Sequence, residues 1–414
     1  MSDPIQMIAD KIINEKQQVV LYGAGNDAVL IIRELKRKYS VLPVCICDSD
    51  RTKWYKSLSG IKILPFEEAL SIYPDLYLFV SAILYKYQII GRLLEEGKIS
   101  KERILNFEPV VKRKSCVFVE SQLVILEHKC FFCCSDFGKG QSPCTEYRES
   151  YDALIDDYLN LRDKLIFDFN HSISTPCDGC PYLFESYFSP QKIIRWIDYS
   201  EGGICNFKCC YCHSKAKTNR AEGMDVDLPE LLVKLNERDL LDRDLHISVA
   251  CGEVSINSHR QKIYHSIQGK YNYIFSNSAV YDPQIAILIK HGNSILDTSV
   301  DAGTRETYSK VKGIDLFEKV RNNLYHYANT EGSGAIELKY IFLPGLNDNE
   351  ADVDGFVDFC KFVHPCSIVI AHDVFYQGNL PQKTVNMAGR LEKSLAENGF
   401  FSKVVSDKIN AASK

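Results

Sequence analysis

The sequence lacks several things, and each absence removes a class of function. There is no excess of positive charge: 49 Lys and Arg stand against 54 Asp and Glu, a formal net charge of −5. Bulk electrostatics therefore give no support for binding nucleic acid or a membrane surface. There is no long hydrophobic run either. The longest, around Leu76 to Tyr85, is too short to span a bilayer. Met1 to Gln18 is polar and amphipathic and has no apolar secretory core. Cysteine, by contrast, is plentiful, with 16 in 414 residues, and 45% of the chain is hydrophobic, enough for real cores. The length suggests two domains or one large one. The expected location is cytoplasmic, where thiols are kept for metal rather than for disulfides.

One stretch concentrates the chemistry: Gly202-Gly203-Ile204-Cys205-Asn206-Phe207-Lys208-Cys209-Cys210-Tyr211-Cys212-His213. Cys205, Cys209 and Cys212 stand at spacing C-x3-C-x2-C. Thiolates are soft ligands for iron–sulfur clusters and zinc. A cubane cluster asks for four ligands and this loop supplies three, which leaves one iron open to substrate or cofactor. The competing reading is zinc, with His213 as the fourth ligand. Spacing alone leaves both open.

Residues 1–110 read as a small Rossmann-like parallel-sheet domain. A buried strand over Gln17–Tyr22 runs into Gly23-Ala24-Gly25-Asn26-Asp27-Ala28, a helix follows over Val29–Lys38, and a second strand over Leu42–Cys47 ends in Asp48-Ser49-Asp50. A glycine turn of this kind lets backbone amides approach a phosphate at a helix N-terminus, and Asp48 is placed to bond a ribose. Gly23, Gly25 and Asp48 are thus nucleotide-binding candidates. The competing reading is a glycine turn needed only for packing. Further strands are expected over Asp75–Ser81 and Arg103–Phe107, with a helix over Tyr87–Glu96. Cys45 and Cys47 alternate in a buried strand and read as core. The segment resembles the nucleotide-sugar-binding domain at the N-terminus of sugar acetyltransferases, on the strength of Gly23-Ala24-Gly25, Asp48-Ser49-Asp50 and Gly60-Ile61-Lys62-Ile63-Leu64. That resemblance implies a nucleotide or nucleotide-sugar handle.

Residues 111–190 form a cysteine-rich connector. Val117–Leu126 alternates as a strand pair would, and a helix is expected over Glu146–Ile166. Cys177-Asp178-Gly179-Cys180 is a C-x2-C half-site for zinc or a cluster. Cys133 and Cys134 are the candidates to complete it, although neighbours on a strand point oppositely, so only one of them ligates easily. Cys116 and Cys130 are weaker candidates. An auxiliary iron–sulfur cluster, a zinc knot and packed reduced cysteines all remain open.

From residue 191 onward, strands alternate with helices, as in a partial (β/α)6 barrel. Strands are expected over Ile193–Tyr199, Leu245–Ala250, Tyr271–Phe275, Ser294–Val300, Ala335–Phe342 and Cys366–Ala371. Helices are expected over Pro283–His291, Thr304–Ala328, Glu350–Val363 and Pro381–Asn398, with no further strand after the sixth. Barrel active sites lie at C-terminal strand ends. Cys205, Glu253, Asn277, Ser299, Asp301, Lys339 and His372 are all placed at or near such ends. Individually, Lys339 reads as solvated and His372 as a helix cap, but together they favour one pocket.

With these residues in view, the chain from about Ile193 to its end resembles the radical S-adenosylmethionine (SAM) enzymes. Cys205, Cys209 and Cys212 match the family's C-x3-C-x-aromatic-C signature, with Tyr211 as the aromatic. The resemblance implies a 4Fe-4S cluster on these cysteines, with SAM chelating the open iron. It implies that Tyr211 lies by the adenine and that Gly252-Glu253 receives the methionine amino group. Ser299 and Asp301 would read carboxylate or ribose, and Leu343 of Leu343-Pro344-Gly345 would lie near the adenosine. Cys251 and Val254 depart from the usual glycine and proline of the glycine–glutamate motif. The implied chemistry is reductive cleavage of SAM to a 5′-deoxyadenosyl radical, fed by a one-electron donor such as flavodoxin or ferredoxin. A small or nucleotide-sugar substrate is expected, without nucleic acid or membrane. Peptide or protein modification, methyl or methylthio transfer, and a zinc- or cluster-bearing interaction protein on a decayed barrel are the alternatives.

Overall fold

The structure, a computed structural model, describes residues 3–126, 129–133, 143–146, 150–200, 204–212, 226–250, 252–290, 293–330, 335–406 and 409. Cys134, Gly202, Gly203, His213 and Cys251 lie outside the described residues. Two compact units emerge. The first takes residues 1–202, 223–249 and 265–272, and the second takes 203–222, 250–264 and 273–414.

The first unit opens with α1 (Pro4–Ile13), β1 (Val19–Tyr22), α2 (Asn26–Tyr39), β2 (Cys45–Cys47), β3 (Ser57–Leu58), β4 (Ile61–Leu64), α3 (Phe66–Ile72), β5 (Tyr77–Val80) and α4 (Lys86–Glu95). Its strands lie in the order β3-β4-β2-β1-β5, all parallel except β3. Val20, Cys45, Cys47, Leu78 and Ile90 share one core, which gives the two cysteines their packing role. The strand expected over Arg103–Phe107 does not form; Ile104 makes a single bridge to Leu78. The Asn106 side chain takes the place of a ladder there, accepting from the Val80 N–H at 3.0 Å and donating to the Val80 carbonyl at 2.8 Å.

Next come β6 (Val111–Ser115), α5 (Val117–Ser121), β7 (Gln122–Leu126), β8 (Lys129–Phe131), β9 (Cys144–Glu146), α6 (Tyr151–Asn170), β10 (Phe184–Phe188), β11 (Ile194–Tyr199), α7 (Leu228–Glu237) and β12 (Leu241–Val249). β6 pairs antiparallel with β10. The others run β12-β11-β7-β8-β9, parallel as far as β7 and antiparallel beyond it. The expected strand pair over Val117–Leu126 is instead a short helix followed by one strand. Buried Glu120 pairs with Arg113 at 2.6 Å and Arg162 at 3.1 Å, and Ser121 Oγ donates to the Val117 carbonyl at 2.8 Å. These bonds override the strand-like apolar alternation.

Then follow α8 (Arg260–Ile267), β13 (Tyr271–Phe275), α9 (Pro283–Lys290), β14 (Ser294–Ser299), α10 (Arg305–Lys312), α11 (Phe317–Ala328), β15 (Ile336–Phe342), α12 (Glu350–Val363), β16 (Ser367–His372), α13 (Gln382–Glu397) and β17 (Ser402–Val404). In the second unit the strands order β17-β16-β15-β14-β13, with β14 to β17 parallel. The α/β class, its parallel strands and the strand–helix repeat agree with expectation. The single helix expected over Thr304–Ala328 is two, α10 and α11, because Gly313 turns the chain at φ +69°. A seventh strand, β17, follows the six expected ones.

The sheet alternates faces with period two. Leu338, Tyr340 and Phe342 are buried on one face. The other face carries charge: Lys339 pairs with Asp297 at 2.7 Å, and Lys403 with Glu337 at 2.8 Å. Burial pushes the Asp297 carboxyl up to about 7 despite Lys339. For Glu337, Lys403 and Lys339 overcome the opposing effect of burial and hold it down to about 2. Lys339 is therefore an ion-paired mid-strand residue rather than a solvated strand end.

Candidate active site

The loop Ile204–Cys212 belongs to the second unit and is fastened through its backbone. Lys208 N–H donates to the Lys312 carbonyl at 3.0 Å and Cys210 N–H to the Val311 carbonyl at 2.9 Å. The last carbonyls of a helix have no partner within it, so the end of α10 is free to accept from the loop. A side chain on Gly313 would bring its Cβ within 2.7 Å of the Lys208 carbonyl oxygen, so this approach depends on glycine. At the loop's start, Glu253 N–H donates to the Ile204 carbonyl at 3.0 Å.

Cys205, Cys209 and Cys212 are partly buried, whereas Cys210 is exposed. The Cys205 sulfur accepts from Phe207 N–H at 3.5 Å and from Asn277 Nδ2 at 3.8 Å. Burial pushes the Cys205 thiol up and the Cys209 thiol up to about 11, with Lys312 working against the latter. Cys205 feels the charge of Cys212, and Cys209 that of both other thiols. Three gathered soft ligands with N–H donors toward sulfur suit an iron–sulfur cluster.

Glu253 is fully buried. Its Oε1 accepts from Ser255 N–H at 3.1 Å, Ser255 Oγ at 2.6 Å and Ser276 Oγ at 2.7 Å; its Oε2 accepts from Asn277 N–H at 2.6 Å. The carboxylate thus braces the turn internally, while neighbouring Gly252 is exposed and presents backbone. Asn277 extends the brace, its Nδ2 donating to Asn206 Oδ1 at 2.7 Å.

Asp301 is buried and holds φ +58°, a left-handed conformation costly for a residue with a side chain. Its Oδ1 accepts from Ile341 N–H at 2.7 Å, and its Oδ2 from Lys312 Nζ at 2.5 Å and from the Tyr211 hydroxyl. Lys312 also donates to that hydroxyl at 2.9 Å. Burial, and then the Asp301 charge, raise the Tyr211 hydroxyl well above its ordinary value. Asn347 Nδ2 donates to the Asp301 carbonyl at 2.8 Å while its Oδ1 accepts from Leu343 N–H at 2.7 Å, which joins the Leu343 loop to the same knot. Ser299 is partly buried at the end of β14, in register with Lys339. His372 Nδ1 bonds Ser406 Oγ at 2.7 Å.

Hydrogen bonds thus join Cys205, Asn277 and Glu253 in one network, and Tyr211, Asp301 and Leu343 in another. Both are anchored on the cysteine loop. Asn206, Ser276, Lys312 and Asn347 escaped sequence reasoning. Asn347 sits in the Leu343-Pro344-Gly345-Leu346-Asn347 motif and was within reach; Lys312 reads as an ordinary charged residue at a helix end.

Residues 199–360 match the family described as the Radical SAM superfamily. This part of the chain is a radical SAM domain. The cofactors of that enzyme family are a 4Fe-4S cluster and SAM. A probable dual-specificity RNA methyltransferase RlmN from Flavobacterium psychrophilum is 30% identical over 114 residues, 26% of this chain. The match spans 32% of that protein, about a third of its length. Among solved structures, Streptococcus suis SuiB bound to S-adenosylmethionine aligns at 10% identity and TM-score 0.44, over 64% of this chain and 57% of that one. A radical SAM methyltransferase from Sphaerobacter thermophilus aligns at 14% identity and TM-score 0.39, over 51% of this chain and 66% of that one.

The nucleotide candidates lie in the first unit, outside the radical SAM domain. Gly23 holds φ +116°, and its Cβ position falls 2.7 Å from Ala82 Cβ. Asp48 Oδ2 accepts from Ala24 N–H at 2.7 Å and Lys53 Nζ at 3.0 Å, and its Oδ1 from Asp50 N–H at 2.8 Å. Gly25 caps α2 without a side-chain bond. Cys133, Cys177 and Cys180 also belong to the first unit. Among the described residues, no helix is long and apolar enough to cross a membrane.

Proposed function

We propose that the chain is a radical SAM enzyme whose cluster is held by Cys205, Cys209 and Cys212 and which removes hydrogen from a small, nucleotide-linked sugar. The observation that carries the first part is the fastening of the cysteine loop to Glu253 through Asn277 and to Asp301 through Tyr211 and Lys312. The cluster, held by Cys205, Cys209 and Cys212, would supply the one-electron reduction of SAM by which hydrogen is removed from an unreactive carbon. The chain's own part is positioning. Asn277 holds the first cysteine, Asp301 and Lys312 fix the Tyr211 hydroxyl, and exposed Gly252 offers backbone to the methionine end of SAM. A flavodoxin or ferredoxin is the reductant this chemistry requires.

The substrate reading is supported by the parallel sheet and the Gly23–Gly25 turn of the first unit. Because the Asp48 carboxylate is already bonded to Ala24, Asp50 and Lys53, a ribose would have to share or displace those bonds. The local likeness to an RNA methyltransferase favours a second reading, methyl transfer to RNA, against which the net charge of −5 weighs.

Anaerobic reconstitution with iron and sulfide, followed by dithionite and SAM, should yield 5′-deoxyadenosine. A cluster-loaded sample that makes none, where a control enzyme does, overturns the enzyme reading. Thermal shift against nucleotides, nucleotide-sugars and RNA then separates the substrate classes. A flat response to nucleotides leaves the first unit as a scaffold.

A further inference from the structure

Cys116, Cys133, Cys177 and Cys180 of the first unit come from three separate stretches, and the strand pairing brings these stretches together. In the antiparallel β6–β10 ladder, Ser115 is opposite Phe184, the last pair at that end. Cys116 is therefore the first residue beyond the ladder on one side, and the chain entering from the other side carries Cys180 four residues earlier. That end is closed by the Phe118 and Tyr182 rings, which meet edge to face at 5.2 Å. In the β7–β8 ladder Val124 is opposite Phe131. Cys133 lies two residues beyond that pair, and Gln122, two residues before Val124, directly follows α5; Cys116 caps the other end of that short helix. Cys177 joins through its own turn, with Cys180 N–H donating to the Cys177 carbonyl at 3.0 Å.

The electrostatics report the same gathering. Burial comes first for Cys116, then the charges of Cys180 and Cys133; its thiol rises to about 12 although the Phe118 and Val119 N–H groups donate to it. Cys177 rises to about 11, through burial and then Cys133 and Cys180. Each of the four thiols is thus linked to at least two of the others. Cys130 lies buried on β8 opposite Thr145. Asp178, inside the turn, is committed to Ser174 Oγ at 2.8 Å and Thr175 Oγ1 at 3.1 Å, so it orients the turn and leaves the sulfurs as ligands. Among the described residues no three His, Cys, Asp or Glu side chains are arrayed to hold a metal ion. That is equally true of Cys205, Cys209 and Cys212, so both groups are gathered without being drawn in.

We infer that Cys116, Cys133, Cys177 and Cys180 form a four-thiolate site for a soft metal centre, a zinc ion or an iron–sulfur cluster, separate from the radical SAM loop. Four sulfurs leave no open coordination position, so the site ties β6, β8 and the segment before β10 together and offers no place for SAM. Cys116, the weakest candidate from spacing alone, completes the set. This inference is independent of the proposed activity, since none of its residues lies in the loop at Cys205.

The test uses the full chain, purified anaerobically, with iron, zinc and sulfide counted per chain. Cys116→Ser should lose the same metal equivalent as Cys177→Ser, whereas Cys134→Ser and Cys205→Ser keep it. Cys205→Ser should lose only the cluster of the other site. Iron with matching sulfide identifies a cluster, and a single zinc identifies a zinc site; either outcome supports the inference. Alkylation of the native wild-type protein, read by peptide mass spectrometry, avoids dependence on the variants folding. Cys116, Cys133, Cys177 and Cys180 should be protected together and released together by a chelator, while Cys144 reacts throughout. Free alkylation of Cys116 in metal-loaded protein, or metal lost through Cys134→Ser but not Cys116→Ser, overturns it.

Discussion

Two aspartates in this molecule sit in similar local settings. Asp48 in the first unit and Asp301 in the second each follow a parallel strand. Each takes a backbone N–H on one carboxylate oxygen and a lysine on the other. The difference is in reach. The partners of Asp48 are Asp50 and Lys53 in the turn that follows it and Ala24 just beyond the neighbouring strand β1, all within one βαβ unit. Those of Asp301 are Tyr211 in the cysteine loop, Lys312 at the end of α10 and Ile341 in β15. The first acid joins two turns of one βαβ unit; the second ties the cysteine loop to α10 and β15. Reading the residue type at a strand end, without its partners, does not separate these roles.

The sharpest way to break this comparison is Asp301→Asn. It leaves the Lys312 ammonium, with 3% of its side chain exposed, facing a neutral amide. Removing one member of a buried pair costs about 3–5 kcal/mol, and urea unfolding of the second unit should report a loss of that order, together with iron. A loss below about 1 kcal/mol would mean that the tie is decorative. Next is Gly313→Ala, which combines a left-handed backbone with the close Lys208 carbonyl. It should cost about 1–3 kcal/mol and lower the iron retained on reconstitution, because the loop must back away from α10. Asp48→Asn should cost less, about 1–2 kcal/mol, and leave the iron content as in the wild type. If it strips iron as Asp301→Asn does, the two acids are not different in reach.

A further effect is one of pH. The Asp297 carboxyl is raised from an ordinary 3.8 to about 7, so the folded state holds its proton more tightly than the unfolded state. Such a group leaves stability intact below pH about 4 and erodes it as pH rises to about 7. Measured against Asp297→Asn, wild-type stability should therefore fall relative to the variant across that window, by up to about 4 kcal/mol. A difference that is flat with pH removes the buried carboxyl from the account.

Much of the second unit was legible in the sequence because its elements carry strong local signals. Tyr271–Phe275 and Glu350–Val363 fall where periodicity and flanking polar residues put them. The cysteine spacing and the Leu343-Pro344-Gly345 exit were equally plain. What escaped depends on contacts across the chain. Lys312 meets its partner only when α10 folds back on Asp301. The Asn106 amide substitutes for a strand by bonding Val80, which no local pattern announces. Val117–Ser121 looks like a strand until buried Glu120 finds Arg113 and Arg162. Cys116 looked incidental because its three companions arrive from 17, 61 and 64 positions further along.

The backbone bonds from Lys208 and Cys210 to the end of α10 bear on how the cysteine loop keeps its shape. They join peptide groups, not thiolates, and ask nothing of a metal. The fastening of the loop to α10 is therefore expected to survive loss of metal, with the Lys208 and Cys210 amides exchanging hydrogen as slowly in iron-free protein as in loaded protein.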